Sequence, residues 1–313
     1  MKSVAGRGYD TISFLSDYGH GDEFVGVVHS VIAAIAPHVR VVDVTHGIAP
    51  CNVRAGGLAL ARAAHYLLPG VVLAVVDPGV GTNRRPVAVE VGDGASVLIG
   101  PDNGLLVPVV ALVGGAGRAV ELADADYRLE SPRELGSTFD GRDVFAPAAA
   151  HLCLGVPLSD LGPAVDVATL TPGMLPVSRR DGDALVAEVL WVDRFGNCQL
   201  NVDPAEVDEM AEARALLQVT VGEDLRTAER VRAYADVPPG RVGLVTDSSG
   251  LVSLALPQRS AADELGLHEG SEVRLATAAA GDRRSGSPSV VTPVGLSRRT
   301  GASTGPKDQG DQP

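Results

Sequence analysis

VVLAVVDPGVGTNRRP, residues 71–86, decides the fold. Its first six residues are an unbroken run of Val, Leu and Ala. That is the pattern of a strand covered on both faces, as in a parallel sheet. The strand delivers Asp77 to its carboxyl end, where open α/β sheets place their ligands. Pro78 fixes one φ, and Gly79 and Gly81 permit a tight turn. Arg84 and Arg85 then bring two permanent cations back toward the acid. On this stretch alone a structural ion pair and a functional acid are both open.

Working outward, TISFL (11–15) and VRVVDVT (39–45) read as strands. FVGVVHSVIAAIA (24–36), which stops before Pro37, and VRAGGLALARAAHYLL (53–68) carry helical periodicity. Strand, helix, strand, helix, strand at this spacing predicts a parallel sheet with right-handed crossovers. Downstream, PVAVEV (86–91) and SVLIG (96–100) flank a Gly-Asp-Gly turn, and STFDGRDVFAPAAAHLCLG (137–155) runs from a polar loop into a helix. GGAGRA (114–119) is glycine-rich but lacks the strand-before, helix-after setting of a dinucleotide fingerprint.

The expected organisation is an α/β N-terminal domain with a mostly parallel sheet over 1–165, then a linker over 166–183 rich in Pro, Gly and Thr. Short β-like runs follow (184–192, 198–202, 216–221, 241–246, 251–256, 272–277), with one helix at 204–214. They predict a smaller C-terminal β-barrel or sandwich over 184–278. Residues 279–313 have the composition of a disordered tail.

The net charge is −13 over 313 residues, which argues against generic nucleic-acid or anionic-membrane binding. Aromatics are 4%, too few for a base-stacking surface. Cys51, Cys153 and Cys198 are scattered, so reduced thiols and a cytoplasmic setting are expected. His20, His38, His46, His65 and His268 have no metal-ligand spacing, and no metal is expected.

Four polar loops carry candidate chemistry. Asp17 follows the first strand and suits a bidentate grip on ribose hydroxyls, or an N-cap or turn. Asp77 and Arg84 form the second loop. TFDGRD supplies Asp140, Arg142 and Asp143. In VDRFGNCQLN, Asp193 and Asn197 flank Phe195, offering hydrogen bonds and an aromatic face to a heterocycle, or simply forming a β-turn on Gly196 and Asn197.

The stretches FLSDYGHGDEFVG, DVTHGIAPCNV, VVDPGVGTNRRP, IGPDNGLL, STFDGRDVFAPAAAHL, VDRFGNCQLN and DSSGLVSLAL run in order through residues 11–277. In this the chain resembles the S-adenosyl-L-methionine (SAM) hydrolases, also called SAM hydroxide adenosyltransferases, siblings of the fluorinase and chlorinase. The resemblance implies attack of water or hydroxide on ribose C5′ of SAM, releasing adenosine and L-methionine without a cofactor. It also implies a C-terminal β-barrel, and a homotrimer whose sites lie between one subunit's N-terminal domain and a neighbour's C-terminal domain. Asp17 would hold the ribose hydroxyls, and Asp77 and Arg84 would orient and polarise the water. Cys51, Asp193, Phe195 and Asn197 would help hold substrate. Ser248 and Ser249 would lie near its methionine end, and the backbone at Gln258 near the adenine edge. One position departs: the family's third catalytic group is a histidine in TFHGRD, and here it is Asp140. Two acids at the nucleophile favour water over a bare halide. A binding protein without turnover and a halogenase are the alternatives.

Overall fold

The computed structural model describes residues 8–129, 136, 138–173, 175–213 and 216–277. The expected tail, 279–313, lies outside the described residues. The N-terminal sheet begins with β1 (Thr11–Ser16), helix α1 (Phe24–Ile35), β2 (Arg40–Thr45), α2 (Val53–Ala63) and β3 (Val71–Val75). It continues with β4 (Pro86–Val91), β5 (Ser96–Pro101), α3 (Val107–Leu112), β6 (Ala116–Glu121), α4 (Ala146–Cys153) and β7 (Ala164–Val165). The strand order is β2-β1-β3-β5-β4-β6-β7. β2, β1, β3 and β5 run parallel, and β4, β6 and β7 extend the sheet antiparallel.

β3 shows why the opening stretch reads as it does. All five of its residues are buried. Val71, Leu73 and Val75 pack with Val28 and Ile32 of α1 and with α4, while Val72, Ala74 and Val76 pack with Leu60 of α2 and Val109 of α3. Two helical layers leave neither face of the strand a polar position.

α2 is shorter than its periodicity suggests. It ends at Ala63 and tightens into a 3₁₀ turn, Ala64–Tyr66. Pro69 forces Leu68 toward extended backbone, so the last helical turn cannot continue. β6 has weak strand signal in the sequence because Gly114, Gly115 and Gly117 crowd it; its pairing with β4 overrides composition.

The C-terminal domain holds β8 (Arg179–Asp181), β9 (Ala184–Val192), β10 (Cys198–Leu200), α5 (Pro204–Ala213), β11 (Leu217–Val221), β12 (Asp224–Val231), β13 (Val242–Thr246), β14 (Val252–Ala255), α6 (Ala261–Leu265) and β15 (Glu272–Thr277). The order β10-β14-β13-β12-β11-β15-β9 closes on itself through the β9–β10 pair, making a seven-stranded barrel with β8 on the outside of β9. The expected linker therefore ends in structure, since Arg179–Asp181 pair with β9. β12 carries four charged residues in eight, the least strand-like composition of the barrel. Its Ala228 packs into the barrel core and its Val231 into a small outer cluster with Val237, Val245 and Ala255, and the β12–β13 pair is the parallel one of the barrel.

The two domains touch through α2 and β9. Arg62 stacks over Trp191 at 4.2 Å, and Arg54 pairs with Glu188 at 2.6 Å. Among the described residues no helix is long and apolar enough to cross a membrane.

Candidate active site

The chain path reverses between β1 and β3. β1 leads outward through α1 to β2, and α2 returns across to β3 on β1's other side. Side chains that follow both strands converge at such a switch point. Asp17 follows β1, Asp77 follows β3, and the Asp17 N–H donates to the Val75 carbonyl at 3.4 Å.

Asp77 and Arg84 form a two-toothed pair. Arg84 Nε lies 3.0 Å from Asp77 Oδ1 and 2.9 Å from Oδ2, and Nη2 donates to Oδ2 as well. Gly79 N–H donates to Asp77 Oδ1 at 3.2 Å, closing the DPG turn. The same Arg84 Nη2 donates to Asp140 Oδ2, brought in from 56 residues along the chain. Asp140 precedes a π-helical turn, Gly141–Phe145, that leads into α4. This wide turn packs Phe145 beneath the guanidinium, 5.1 Å from its ring centre. Gly141 has no room for a side chain, since a Cβ would stand 2.1 Å from Tyr18 Oη.

Burial and charge act against each other here. Side-chain exposure is 6% for Asp77, 11% for Arg84 and 21% for Asp140. Burial opposes the Arg84 charge, but the hydrogen bonds and charge of Asp77, then those of Asp140, outweigh it and hold the guanidinium above its ordinary pKa. Two carboxylates on one guanidinium leave a formal charge of −1. Burial first, then the nearby Asp17, Asp77 and Asp140, push Tyr18 upward, so its phenol stays protonated. A cavity of about 140 Å³ opens on Asp17, Tyr18, Phe24, Asp77, Phe139 and Asp140.

Asp17 is not a helix cap, because α1 starts at Phe24 with Glu23 in the cap position. Its Oδ2 instead accepts the Cys51 N–H at 2.8 Å. Cys51 donates from a left-handed conformation, φ +64°, costly for a residue with a Cβ. The Cys51 thiol is exposed and lines no described cavity.

Arg85 turns away. It binds Asp102 Oδ2 through Nε (2.9 Å) and Nη2 (2.5 Å), and the Thr169 carbonyl at 2.7 Å. It is a clasp between β4 and the segment that leaves the domain. Arg142 and Asp143 likewise pair with each other, at 2.7 Å.

Asp193, Phe195, Asn197, Ser248 and Gln258 line a second, separate cavity of about 870 Å³ in the barrel domain. The two cavities share no lining residue. Asp193 builds the turn that the sequence suggests. Its Oδ1 accepts the Phe195 and Asn197 N–H groups at 2.8 and 2.9 Å, and its Oδ2 accepts Asn197 Nδ2 at 2.8 Å. Phe195 at the tip is 78% exposed. Gly196 has φ +81°, and a Cβ there would meet Ser260 Oγ at 2.1 Å. Ser249 lies outside the lining, donating its N–H to Asp247 Oδ1 at 2.8 Å. Asp247 is the residue that sequence reasoning missed. Its Oδ2 also accepts Gln199 Nε2 and Ser253 Oγ, so it carries the DSSG turn. An Asp opening a Ser-Ser-Gly turn is a signal present in the sequence.

The comparisons agree with this two-part layout. Residues 12–162 match the SAM hydroxide adenosyltransferase N-terminal domain, and residues 187–274 match its C-terminal domain. The chain belongs to the SAM hydroxide adenosyltransferase family. It is 45% identical to a protein of Salinispora tropica named (R)-S-adenosyl-L-methionine hydrolase, over 84% of this chain and 97% of that protein. A protein of Actinopolyspora mzabensis named fluorinase is 28% identical over 84% of this chain and 96% of its own length. The crystal structure of an uncharacterized conserved protein from Thermotoga maritima superposes with a TM-score of 0.76 at 31% identity, covering 85% of this chain and 99% of that one. Against this family, Asp140 stands where the resemblance leads one to expect a histidine.

Proposed function

We propose that this chain hydrolyses S-adenosyl-L-methionine to adenosine and L-methionine. Water attacks ribose C5′, a C5′–O bond forms and the C5′–S bond breaks. The electron pair of that bond passes to the sulfonium sulfur, which leaves as the neutral thioether of methionine. The proton lost by water goes to a carboxylate and then to solvent. The leaving group needs no acid and no electron sink, so the residues present suffice and no cofactor is invoked.

The observation that carries this reading is Arg84 held between Asp77 and Asp140 at the edge of the cavity that Asp17 shares. Arg84 lowers the cost of developing hydroxide. Asp77 has both oxygens occupied by Arg84 and Gly79, which suits orientation more than proton transfer. Asp140 gives Oδ2 to Arg84, and among the described residues its Oδ1 receives no hydrogen bond. That leaves Asp140 as the base, a role worth about 10²–10⁴-fold. Fixing water against C5′ supplies up to roughly 7–11 kcal/mol more. The net −1 charge also speaks against halide, which would enter as a desolvated anion beside two carboxylates.

The separation of the two cavities supports a homotrimer in which one subunit's Asp17–Asp77–Arg84–Asp140 cavity faces a neighbour's Asp193–Phe195–Asn197 cavity. Ser248 and the Gln258 backbone would then meet the methionine end and the adenine edge.

The test is purified protein with SAM, following adenosine and methionine by chromatography. Equimolar products are expected, with Asp140→Asn slower by about 10²-fold or more. Intact SAM recovered from a tight complex would replace hydrolysis with binding alone, and 5′-halo-adenosine formed in high halide would replace it with halogenation.

A further inference from the structure

A polar cluster that lines neither cavity lies at the outer edge of the N-terminal sheet. The histidines have no ligand spacing along the chain, yet the fold brings two of them to one carboxylate. His29 projects from α1, Asp43 from the edge strand β2, and His46 from the residue after β2. Asp43 Oδ1 is 2.8 Å from His29 Nε2 and 3.1 Å from His46 Nε2. All three donor atoms lie within 4.8 Å of one another.

The two histidines are not equivalent. His29 and Asp43 are 35% and 43% exposed and make an ordinary hydrogen bond, which water and a neutral imidazole explain fully. His46 is completely buried. Its ring packs edge-on against Phe14 at 4.6 Å, and its Nδ1 is fixed by Ser16 Oγ at 2.7 Å. Its Nε2 points to the cluster, 3.1 Å from Asp43 Oδ1, and makes no hydrogen bond of regular geometry. A buried polar atom left so keeps its desolvation cost without return. Hydrogen bonding within the cluster therefore accounts for His29 and Asp43 but not for His46.

We propose that His29, Asp43 and His46 bind a divalent cation of the zinc class, with water completing the coordination. Two imidazoles and one carboxylate suit zinc, cobalt or iron(II) rather than magnesium or calcium. Bonds of about 2.0–2.1 Å at a tetrahedral angle hold donors about 3.3 Å apart. The 2.8 and 3.1 Å separations from Asp43 Oδ1 need to open by a few tenths of an ångström, while the two imidazole nitrogens, within 4.8 Å of each other, settle to the same spacing. The Ser16–His46 bond is the outer hydrogen bond that orients a ligating imidazole and leaves its other nitrogen for the metal. The half-exposed His29 and Asp43 give the ion a path in. The site joins α1 to β2 and adjoins Ser16, the residue before Asp17, so the ion would brace the strand tip rather than take part in the reaction. This inference stands whether or not SAM is the substrate.

The test uses the untagged full chain, stripped with chelator and titrated with Co²⁺ and Zn²⁺. One equivalent of Co²⁺ is expected, with visible d–d bands of nitrogen and oxygen ligation and no thiolate charge-transfer band. Saturating Zn²⁺ raises Tm. His29→Ala and Asp43→Asn each weaken binding by about 10–100-fold or more, since even outer partners of a metal site are worth that much. Both side chains are exposed enough for folding to survive, which circular dichroism checks. No stoichiometric binding by the unaltered chain overturns the proposal. So does binding equal in either variant, or a thiolate band that sends the ion to Cys51.

Discussion

The two cavities differ in what holds their acids. In the N-terminal cavity Asp77 and Asp140 are held by one buried cation. In the barrel cavity Asp193, like Asp247 in the nearby DSSG turn, is held by backbone amides and neutral side chains. In the proposed reaction, carboxylates of the first kind meet the reacting atoms. Those of the second kind are consumed in shaping a loop, and what they present to a ligand is Phe195 and Asn197. On that proposal the N-terminal domain carries the reaction and the barrel carries recognition. Damage to the first should appear in kcat and stability, and damage to the second in KM.

The largest effect is expected from Arg84→Ala. It leaves the nearly buried Asp77 facing the partly exposed Asp140 without a counter-charge, at a cost of up to about 3–5 kcal/mol. Turnover should vanish and Tm should fall by many degrees. Asp140→Asn in the same background should recover part of the lost Tm, without restoring turnover, because it removes one of the opposed charges. A melt of Arg84→Ala equal to that of the unaltered chain would break the contrast between the cavities.

Asp193→Ala should act differently. Three donors lose their acceptor, on Phe195 N, Asn197 N and Asn197 Nδ2. The Phe195 bond is exposed, where water replaces the carboxylate, and the two Asn197 bonds are partly buried, so the loss is about 1–3 kcal/mol and falls on the loop's shape. Steady-state kinetics should show KM raised and kcat within a few-fold. A collapse of kcat instead would place Asp193 with the reacting groups.

Much of this division was legible in the sequence, for reasons visible in particular residues. VVLAVV is apolar throughout because β3 is covered on both faces, and that pattern alone sets Asp77 at a strand tip. Arg84 is seven residues from Asp77 and was readable as its partner. The Arg84–Asp140 bond was not, since nothing local connects positions 56 apart; the family resemblance implies only that Asp140 stands at the third catalytic position. β12 was illegible because half of DLRTAERV is charged and only Ala228 and Val231, on opposite faces, are buried. The His29, Asp43 and His46 cluster was illegible too, because it spans a helix and a strand whose relative rotation no spacing rule supplies. Asp193 was ambiguous between turn and ligand contact, and the geometry makes it the turn, with Phe195 as what the turn displays.

Phe195→Ala gives the smallest effect and tests that last point. The ring is 78% exposed, so its removal takes little from the folded chain, and Tm should stay unchanged. An aromatic face stacked on a flat heterocycle is worth about 0.5–1.5 kcal/mol beyond its area. That corresponds to a KM about 2–12-fold higher at constant kcat. Adenosine, which shares the heterocycle but lacks the sulfonium, should lose affinity by the same factor, measured by calorimetry. Equal losses for SAM and adenosine tie Phe195 to the base, because a contact with the methionine end would weaken SAM alone. If neither ligand is affected, the exposed ring belongs to a contact between subunits instead. Sedimentation of the variant would then show a smaller assembly, with turnover falling as protein is diluted. The barrel cavity would in that case contribute to the site by docking rather than by touching substrate.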